Sequence, residues 1–132
     1  MVQNRLLSAF NGNEGAADGV IDQLEAESGL LLPSAYSQLL RDMNGGEGFV
    51  GPSYLILWKA EDLVSMNSAY EVNEYAPGLF VFGSDGGGEA FAFDTRDPAM
   101  PIVTVPFVGM DLSLARPMAP DFDAFLAELS RS

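Results

Sequence analysis

Carboxylates are the side chains of this sequence with the clearest capacity for chemistry, and three of them surround one glycine-rich turn. Asp85, Glu89 and Asp94 lie within or just beyond the run Gly83-Ser-Asp-Gly-Gly-Gly-Glu89. Two carboxyl groups can act as general acid and general base, and carboxylate oxygens bind hard cations such as calcium. The run lacks the ligand periodicity of an EF-hand, however, and exposed carboxylates are common on hairpins. We therefore expect solvated turn residues here, with no catalytic group and no metal.

The same run could instead bind phosphate, because phosphate loops are rich in glycine. A dinucleotide loop needs Gly-x-Gly-x-x-Gly between a strand and a helix, whose first amides then face the phosphates. Gly83, Gly86, Gly87 and Gly88 have a different spacing, and a strand pattern follows them. No lysine follows Lys59, and the two carboxylates beside the glycines would repel phosphate. The glycines are therefore predicted to serve a hairpin turn, and no cofactor is expected.

Histidine and cysteine are absent from the 132 residues, which narrows the chemistry further. Ser-His-Asp and Cys-His catalytic groups are excluded, as are zinc sites built from thiolate or imidazole. Without disulfides the fold must rely on its hydrophobic core, as cytosolic proteins usually do. The N-terminus does not resemble a secretory signal, and no apolar run approaches the roughly 20 residues of a membrane helix. We expect one domain over residues 1–132, in the cytoplasm.

Net charge is the strongest feature of the composition. The sequence has 19 acidic and 6 basic residues, which gives a formal net charge of −13. Such a balance argues against nucleic acids and anionic membranes as partners, since both attract basic surfaces. It would speed the encounter with a basic protein. No base lies between Lys59 and Arg96, and the acids of that interval are Glu61, Asp62, Glu71, Glu74, Asp85, Glu89 and Asp94.

Hydrophobic periodicity predicts helices at both ends of the sequence. Residues 11–15 are expected to form a loop. The first helix is predicted between residues 17 and 29, and the second from Ser34, as its N-cap, to Met43. These two should form a short αα-hairpin packed on a sheet. A last helix is predicted after Asp121, its N-cap, with an apolar stripe of Phe122, Phe125, Leu126 and Leu129.

Strands joined by hairpins are expected in the middle of the sequence. They are predicted at residues 48–51, Tyr54–Trp58, Leu79–Phe82, Ala90–Phe93 and within Pro101–Val108. A helix from Ala60 to about Tyr75 should interrupt them, with Leu63, Met66 and Tyr70 facing inward. This order implies an α+β fold: a mostly antiparallel sheet with helices packed around it, an N-terminal αα-hairpin and a C-terminal helix.

Tyr54 and Trp58 lie on one predicted strand and have two possible roles. Aromatic residues on strands usually belong to the core, but they are also enriched as anchors at protein interfaces. We expect Trp58 to be buried, and we keep both residues as candidate anchors.

Several short motifs, taken together, resemble the SUKH superfamily, also called the SMI1/KNR4 family. They are Leu32-Pro-Ser-Ala-Tyr36, Asn44-Gly45-Gly46, the strand Tyr54–Trp58, the hairpin Phe82–Asp94 and the helix Phe122–Leu129. Each motif is weak alone, whereas their order and spacing are specific. The resemblance extends from about residue 17 to the end, so residues 1–15 form an N-terminal extension outside it.

The resemblance implies an α+β domain that binds other proteins and is not an enzyme. Many bacterial members resemble immunity proteins, which neutralise secreted polymorphic toxins, often nucleases. A toxin domain is therefore the expected partner, and a regulatory module with a non-toxin partner is the alternative. A carboxylate-dependent enzyme such as a glycoside hydrolase is a third possibility, and it would need two acids about 5 to 9.5 Å apart in a cleft.

No contact residue can be transferred from the family, because its binding surfaces vary with the partner. The candidate partner-binding residues therefore come from the acids and aromatics of this sequence alone. They are Tyr54, Trp58, Glu61, Asp62, Glu71, Glu74, Asp85 and Glu89.

Overall fold

One antiparallel sheet organises the computed structural model, which describes residues 6–131. Seven strands follow one another in the sheet in the order in which they occur in the chain. They are β1 (Phe10–Gly12), β2 (Gly46–Val50), β3 (Ser53–Leu57), β4 (Leu79–Ser84), β5 (Glu89–Asp94), β6 (Ile102–Pro106) and β7 (Arg116–Ala119). Each strand pairs antiparallel with the next. The α+β class with an antiparallel sheet is therefore confirmed.

Four of the described helices lie in the segments that connect successive strands, and a fifth follows the last strand. They are α1 (Asp18–Ser28), α2 (Ser34–Asp42), α3 (Ala60–Ala69), α4 (Val72–Tyr75) and α5 (Phe122–Arg131), with a 3₁₀ turn at Leu112–Leu114. The helices expected as an αα-hairpin are α1 and α2, but α1 has its most extensive helix contact with α3. The predicted cap of α5 is present, since Oδ1 of Asp121 accepts a 2.8 Å hydrogen bond from the Ala124 N–H.

The first face of the sheet carries the larger core, because α1, α2, α3 and α5 cover it. Aromatic residues dominate its centre. The ring of Tyr36 lies 5.1 Å from that of Phe93, 5.3 Å from that of Phe122 and 5.5 Å from that of Phe82. These distances are those of favourable tilted and edge-to-face aromatic pairs.

The second face carries a smaller core under α4 and the segment that follows β6. Its buried residues are Val72, Ala76, Leu79, Val81, Ala90, Ala92, Val103, Val105 and Met110. Strand β4 is buried along its whole length, because both of its faces meet a core. Residues of β2 and β3 that point to this second face contribute no fully buried side chain to it.

The expected loop at residues 11–15 is partly wrong, because Asn11 and Gly12 belong to β1. They pair with Glu47 and Gly46 of β2, more than thirty residues along the chain. Close backbone approach permits this pairing: a Cβ at Gly46 would lie 2.3 Å from the Asn11 carbonyl oxygen. The prediction failed because it rested on local composition, whereas the strand exists through a distant partner.

The expected helix from Ala60 to Tyr75 is also corrected, because it breaks after Ala69. Glu71 has φ +54°, in the left-handed region that non-glycine residues rarely adopt. The break turns the chain so that Val72 enters the second core, while Tyr70, expected to face inward, is 42% exposed. Leu63 is buried as expected.

The predicted cap of α2 is wrong in detail. Pro33, not Ser34, occupies the N-cap position, and no side chain caps this helix. Proline fixes φ near the value found here, −56°, so the backbone enters the helix without a side-chain hydrogen bond.

Candidate functional site

The turn at Ser84–Glu89 uses its own polar groups to fold. Oδ1 of Asp85 accepts hydrogen bonds from the N–H groups of Gly87, at 2.7 Å, and Glu89, at 3.1 Å. The Ser84 hydroxyl oxygen accepts another from the Gly86 N–H at 3.1 Å. Gly86, with φ +77°, supplies a backbone conformation that side chains disfavour. The turn therefore has the expected hairpin geometry, and the Asp85 carboxylate is occupied by backbone donors of its own loop.

Asp94, the third carboxylate of the initial constellation, is bound to a base. The Nε of Arg96 donates to its Oδ1 at 2.9 Å, and a second guanidinium nitrogen donates to Oδ2 at 2.9 Å. This hydrogen bonding from Arg96 lowers the pKa of Asp94. Among residues 6–131 there is no group of three or more acidic side chains placed to hold a metal ion.

Glu61 is exposed, but its carboxylate takes part in a hydrogen-bonded clamp with Asn44. Nδ2 of Asn44 donates to its carboxylate at 2.5 Å, and Oδ1 of Asn44 accepts from the Ala60 N–H at 2.7 Å. The pKa of Glu61 is lowered, first by its own backbone N–H and then by Asn44. Asn44 therefore caps α3 from a distant loop, since Lys59 at the N-cap makes no side-chain bond. From the sequence alone, Asn44 was expected only to end the helix before it, and its role as a cap of α3 was not predicted.

Strand β3 presents two different faces, because its side chains alternate. Leu55 and Leu57 are buried in the larger core. Tyr54, Ile56 and Trp58, at or just beyond the strand, are half-buried on the second face. The expectation of a buried Trp58 is thus only partly met, because this residue packs against both cores but stays half-buried.

An apolar surface results, which we call the open face. It consists of Phe49, Tyr54, Ile56, Trp58, Tyr70 and Phe107. Phe49 is 53% exposed, which is high for a large apolar side chain on a strand. Contiguous exposed apolar groups of this kind mark interaction surfaces more often than isolated ones do.

Three rings form one end of the open face. Trp58 and Tyr70 are parallel, with 6.0 Å between ring centroids and 6° between planes. Phe107 lies 4.7 Å from Tyr70 and 6.3 Å from Trp58. The break in the helix at Glu71 leaves Tyr70 on this side of the molecule. A tryptophan held by two other rings is a rigid anchor, because little rotamer freedom remains to be lost on binding.

Tyr54 lies at the other end of the open face. Its ring meets that of Phe49 edge-on at 5.1 Å, and its hydroxyl donates to the Glu47 carboxylate at 2.5 Å. This hydrogen bond is the main cause of a raised pKa at Tyr54. A Cβ added to Gly86 would lie 3.3 Å from the Tyr54 ring. The hairpin tip therefore borders the open face.

Acids lie beside the open face in the groove at Trp58 and at the hairpin tip. Asp62 and Trp58 line the same shallow groove of about 300 Å³, together with Glu47 and Lys59. Asp85 precedes Gly86, whose position beside Tyr54 is given above. The rim therefore combines negative charge with an aromatic centre.

The predicted site residues divide into two groups. Tyr54, Trp58 and Asp62 lie on or beside the open face, and Asp85 lies at the hairpin tip that borders it, whereas Glu71 is exposed at the helix break. Glu61 faces a groove between α1 and α3, Glu74 is exposed on α4, and Glu89 lines a cavity with Arg116. Phe49, Tyr70 and Phe107 were not predicted as site residues. They were missed because only the tertiary structure shows which face of a strand or helix is left without packing partners from other elements.

Ion pairs engage much of the basic charge. Arg41 contacts Asp18 at 2.8 Å, Arg96 contacts Asp94 at 2.9 Å and Arg131 contacts Glu128 at 2.6 Å. None of these pairs involves an acid on the rim of the open face. The rim carries one base, Lys59, beside the acids Glu47 and Asp62.

Two comparisons with known proteins bear on identity. The sequence model of the SMI1 / KNR4 family (SUKH-1) matches residues 15–128. No curated protein matches the chain. The helices described between residues 6 and 131 are too short or too polar to cross a lipid bilayer.

Proposed function

The chain belongs to the SMI1/KNR4 family (SUKH-1), and on that basis we propose that it is a non-enzymatic protein-binding domain of the immunity type. Its partner is a secreted toxin domain, which it binds and thereby neutralises. The observation that carries the proposal is the open face, a rigid aromatic surface bordered by the acids Glu47, Asp62 and Asp85.

Hydrogen bonding in the hairpin favours binding over catalysis. A carboxylate enzyme needs one carboxyl group free to give and take a proton at the reacting bond. Asp85 is held by two backbone amides and Asp94 by Arg96. The hydrogen bonds from Arg96 lower the pKa of Asp94, whereas an acid catalyst requires a raised one.

Charge supports a basic toxin, such as a nuclease, as the partner. Enzymes that bind a polyanion carry basic surfaces, and an acidic inhibitor can occupy the same surface. The net charge of −13 would attract such a domain over distances of about one Debye length, 8 to 10 Å at moderate salt. Association should therefore be fast and should slow as salt is added.

Co-expression tests the proposal directly. The toxin-like product of the adjacent gene is induced in a growth assay with this protein, without it, and with a charge-matched unrelated acidic protein as control. The proposal predicts growth and a co-purifying complex only with this protein. Loss of growth in all three cultures, with no complex, would contradict the immunity role for that pair. A complex with a harmless neighbour would favour the regulatory alternative.

A further inference from the structure

We infer that the open face binds an arginine-bearing segment of a partner protein, with a guanidinium group placed over the aromatic rings. The inference deepens the proposed function, on which it rests for the identity of the partner. It names the surface and the chemistry that this surface recognises.

The ring geometry supplies the first argument. Tyr70 is 42% exposed, and its ring lies parallel to the indole of the half-buried residue Trp58. A guanidinium plane stacks on such rings by cation–π attraction, and tryptophan gives the strongest attraction. Phe107 supports Tyr70 from the side, at 4.7 Å. The rings are thus held in place before a partner arrives.

The charges around the rings supply the second argument. Two acids, Glu47 and Asp62, line the groove beside Trp58, together with one base, Lys59. Carboxylates accept paired hydrogen bonds from the fixed fork of a guanidinium group, which an ammonium group cannot match. Rings and carboxylates together therefore favour arginine over lysine.

The acidic surface of α1 lacks the corresponding apolar part. Its Asp18 is already paired with Arg41. Leu31, which follows α1, is 83% exposed but takes part in no ring cluster. That surface offers charge without an anchor, so it provides a matched control.

Trp58 is the only tryptophan and reports on the open face directly. A decameric arginine peptide is titrated into the protein at low salt while Trp58 fluorescence is followed, and a decameric lysine peptide is titrated in parallel. The expected result is a saturable change, with the arginine peptide binding about two- to fivefold more tightly. Equal affinities, or no change at Trp58, would overturn the inference.

Paired variants separate the open face from general charge attraction. Tyr70→Ala and Asp62→Asn should each weaken the arginine peptide about two- to fivefold. Their controls are Tyr75→Ala, which removes an exposed aromatic on α4, and Asp22→Asn, which removes an exposed acid on α1. The controls should stay within about twofold of the parent. Equal weakening by a variant and its control would refute the inference.

The variants and the peptide titration test the binding surface, whereas the growth assay tests the immunity role, so either hypothesis can be refuted without the other. If the protein rescues growth but Tyr70→Ala and Asp62→Asn bind the toxin domain as tightly as the parent, the surface is wrong while the function stands. If the peptide binds as described but no rescue occurs, the surface stands and the immunity role is wrong.

Discussion

The side-chain amide of Asn67 pairs with the backbone of Val81 as another strand would. Its Oδ1 accepts from the Val81 N–H and its Nδ2 donates to the Val81 carbonyl, both at 2.8 Å. Backbone pairing between β3 and β4 covers two positions near Ser84 and is followed by one hydrogen bond from the Trp58 N–H to the Phe82 carbonyl. Asn67 therefore continues the pairing along β4 and fixes α3 to the sheet one turn before Tyr70.

Replacing Asn67 by alanine should destabilise the protein strongly. The change leaves the buried Val81 N–H and C=O without partners, which costs about 2–4 kcal/mol in the free energy of unfolding. Urea unfolding followed by Trp58 fluorescence measures it. Asn73→Ala, at an exposed position on α4, is the control and should cost less than about 0.5 kcal/mol. A cost below about 1 kcal/mol for Asn67→Ala would contradict this role of the amide.

Asn44→Ala should destabilise the protein and change the titration of Glu61. Losing the bond to the Ala60 N–H should cost about 1–2 kcal/mol, as the loss of a helix cap does. Because the Asn44 amide lowers the pKa of Glu61, that pKa should rise in the variant. An NMR titration of the Glu61 carboxyl group measures the shift. A pKa unchanged by the substitution would show that the Asn44–Glu61 hydrogen bond does not exist in solution.

Tyr36→Phe should stabilise the protein. The Tyr36 hydroxyl is fully buried and finds no hydrogen-bond partner among residues 6–131. Removing such a group recovers its desolvation cost, about 1 kcal/mol or more. A thermal or urea melt measures the change, and destabilisation would contradict it by showing that the hydroxyl is bonded.

The same residue should make the parent protein sensitive to alkali. Burial raises the pKa of the Tyr36 hydroxyl above its ordinary value of 10.0. Above that pH the unfolded chain releases the proton while the folded chain keeps it, so stability falls by about 1.4 kcal/mol per pH unit. Below pH 10 the Tyr36 hydroxyl is protonated in both the folded and the unfolded chain, so it does not make stability depend on pH. Tyr36→Phe should reduce this slope, and an unchanged slope would assign the alkaline loss to other groups.

The strained backbone at Glu71 should be measurable by comparing two substitutions. Glu71→Gly and Glu71→Ala both remove the carboxylate, but only glycine adopts φ +54° without strain. After allowing for the greater freedom of glycine in the unfolded chain, Glu71→Gly should be about 0.5–1 kcal/mol more stable than Glu71→Ala. Equal stabilities would indicate that the position is unstrained.

Local signals determined which parts of this structure could be predicted. The hairpin between β4 and β5 and the cap of α5 depend on residues within a few positions of one another. Strand β1, the break at Glu71 and the Asn44 clamp depend on distant partners, so composition and periodicity did not reveal them. The open face was predicted only in part, through Tyr54, Trp58 and Asp62. Its identification requires knowing where the second core ends.

Amide hydrogen exchange on the complex tests the central claim most directly. The protein is compared alone and bound to the toxin domain encoded by the adjacent gene. We predict that protection on binding concentrates in β2 and β3 and around Tyr70 and Phe107, while α1 exchanges as in the free protein. Protection confined to α1 and α2, with the open face unchanged, would contradict the claim that this face binds the partner.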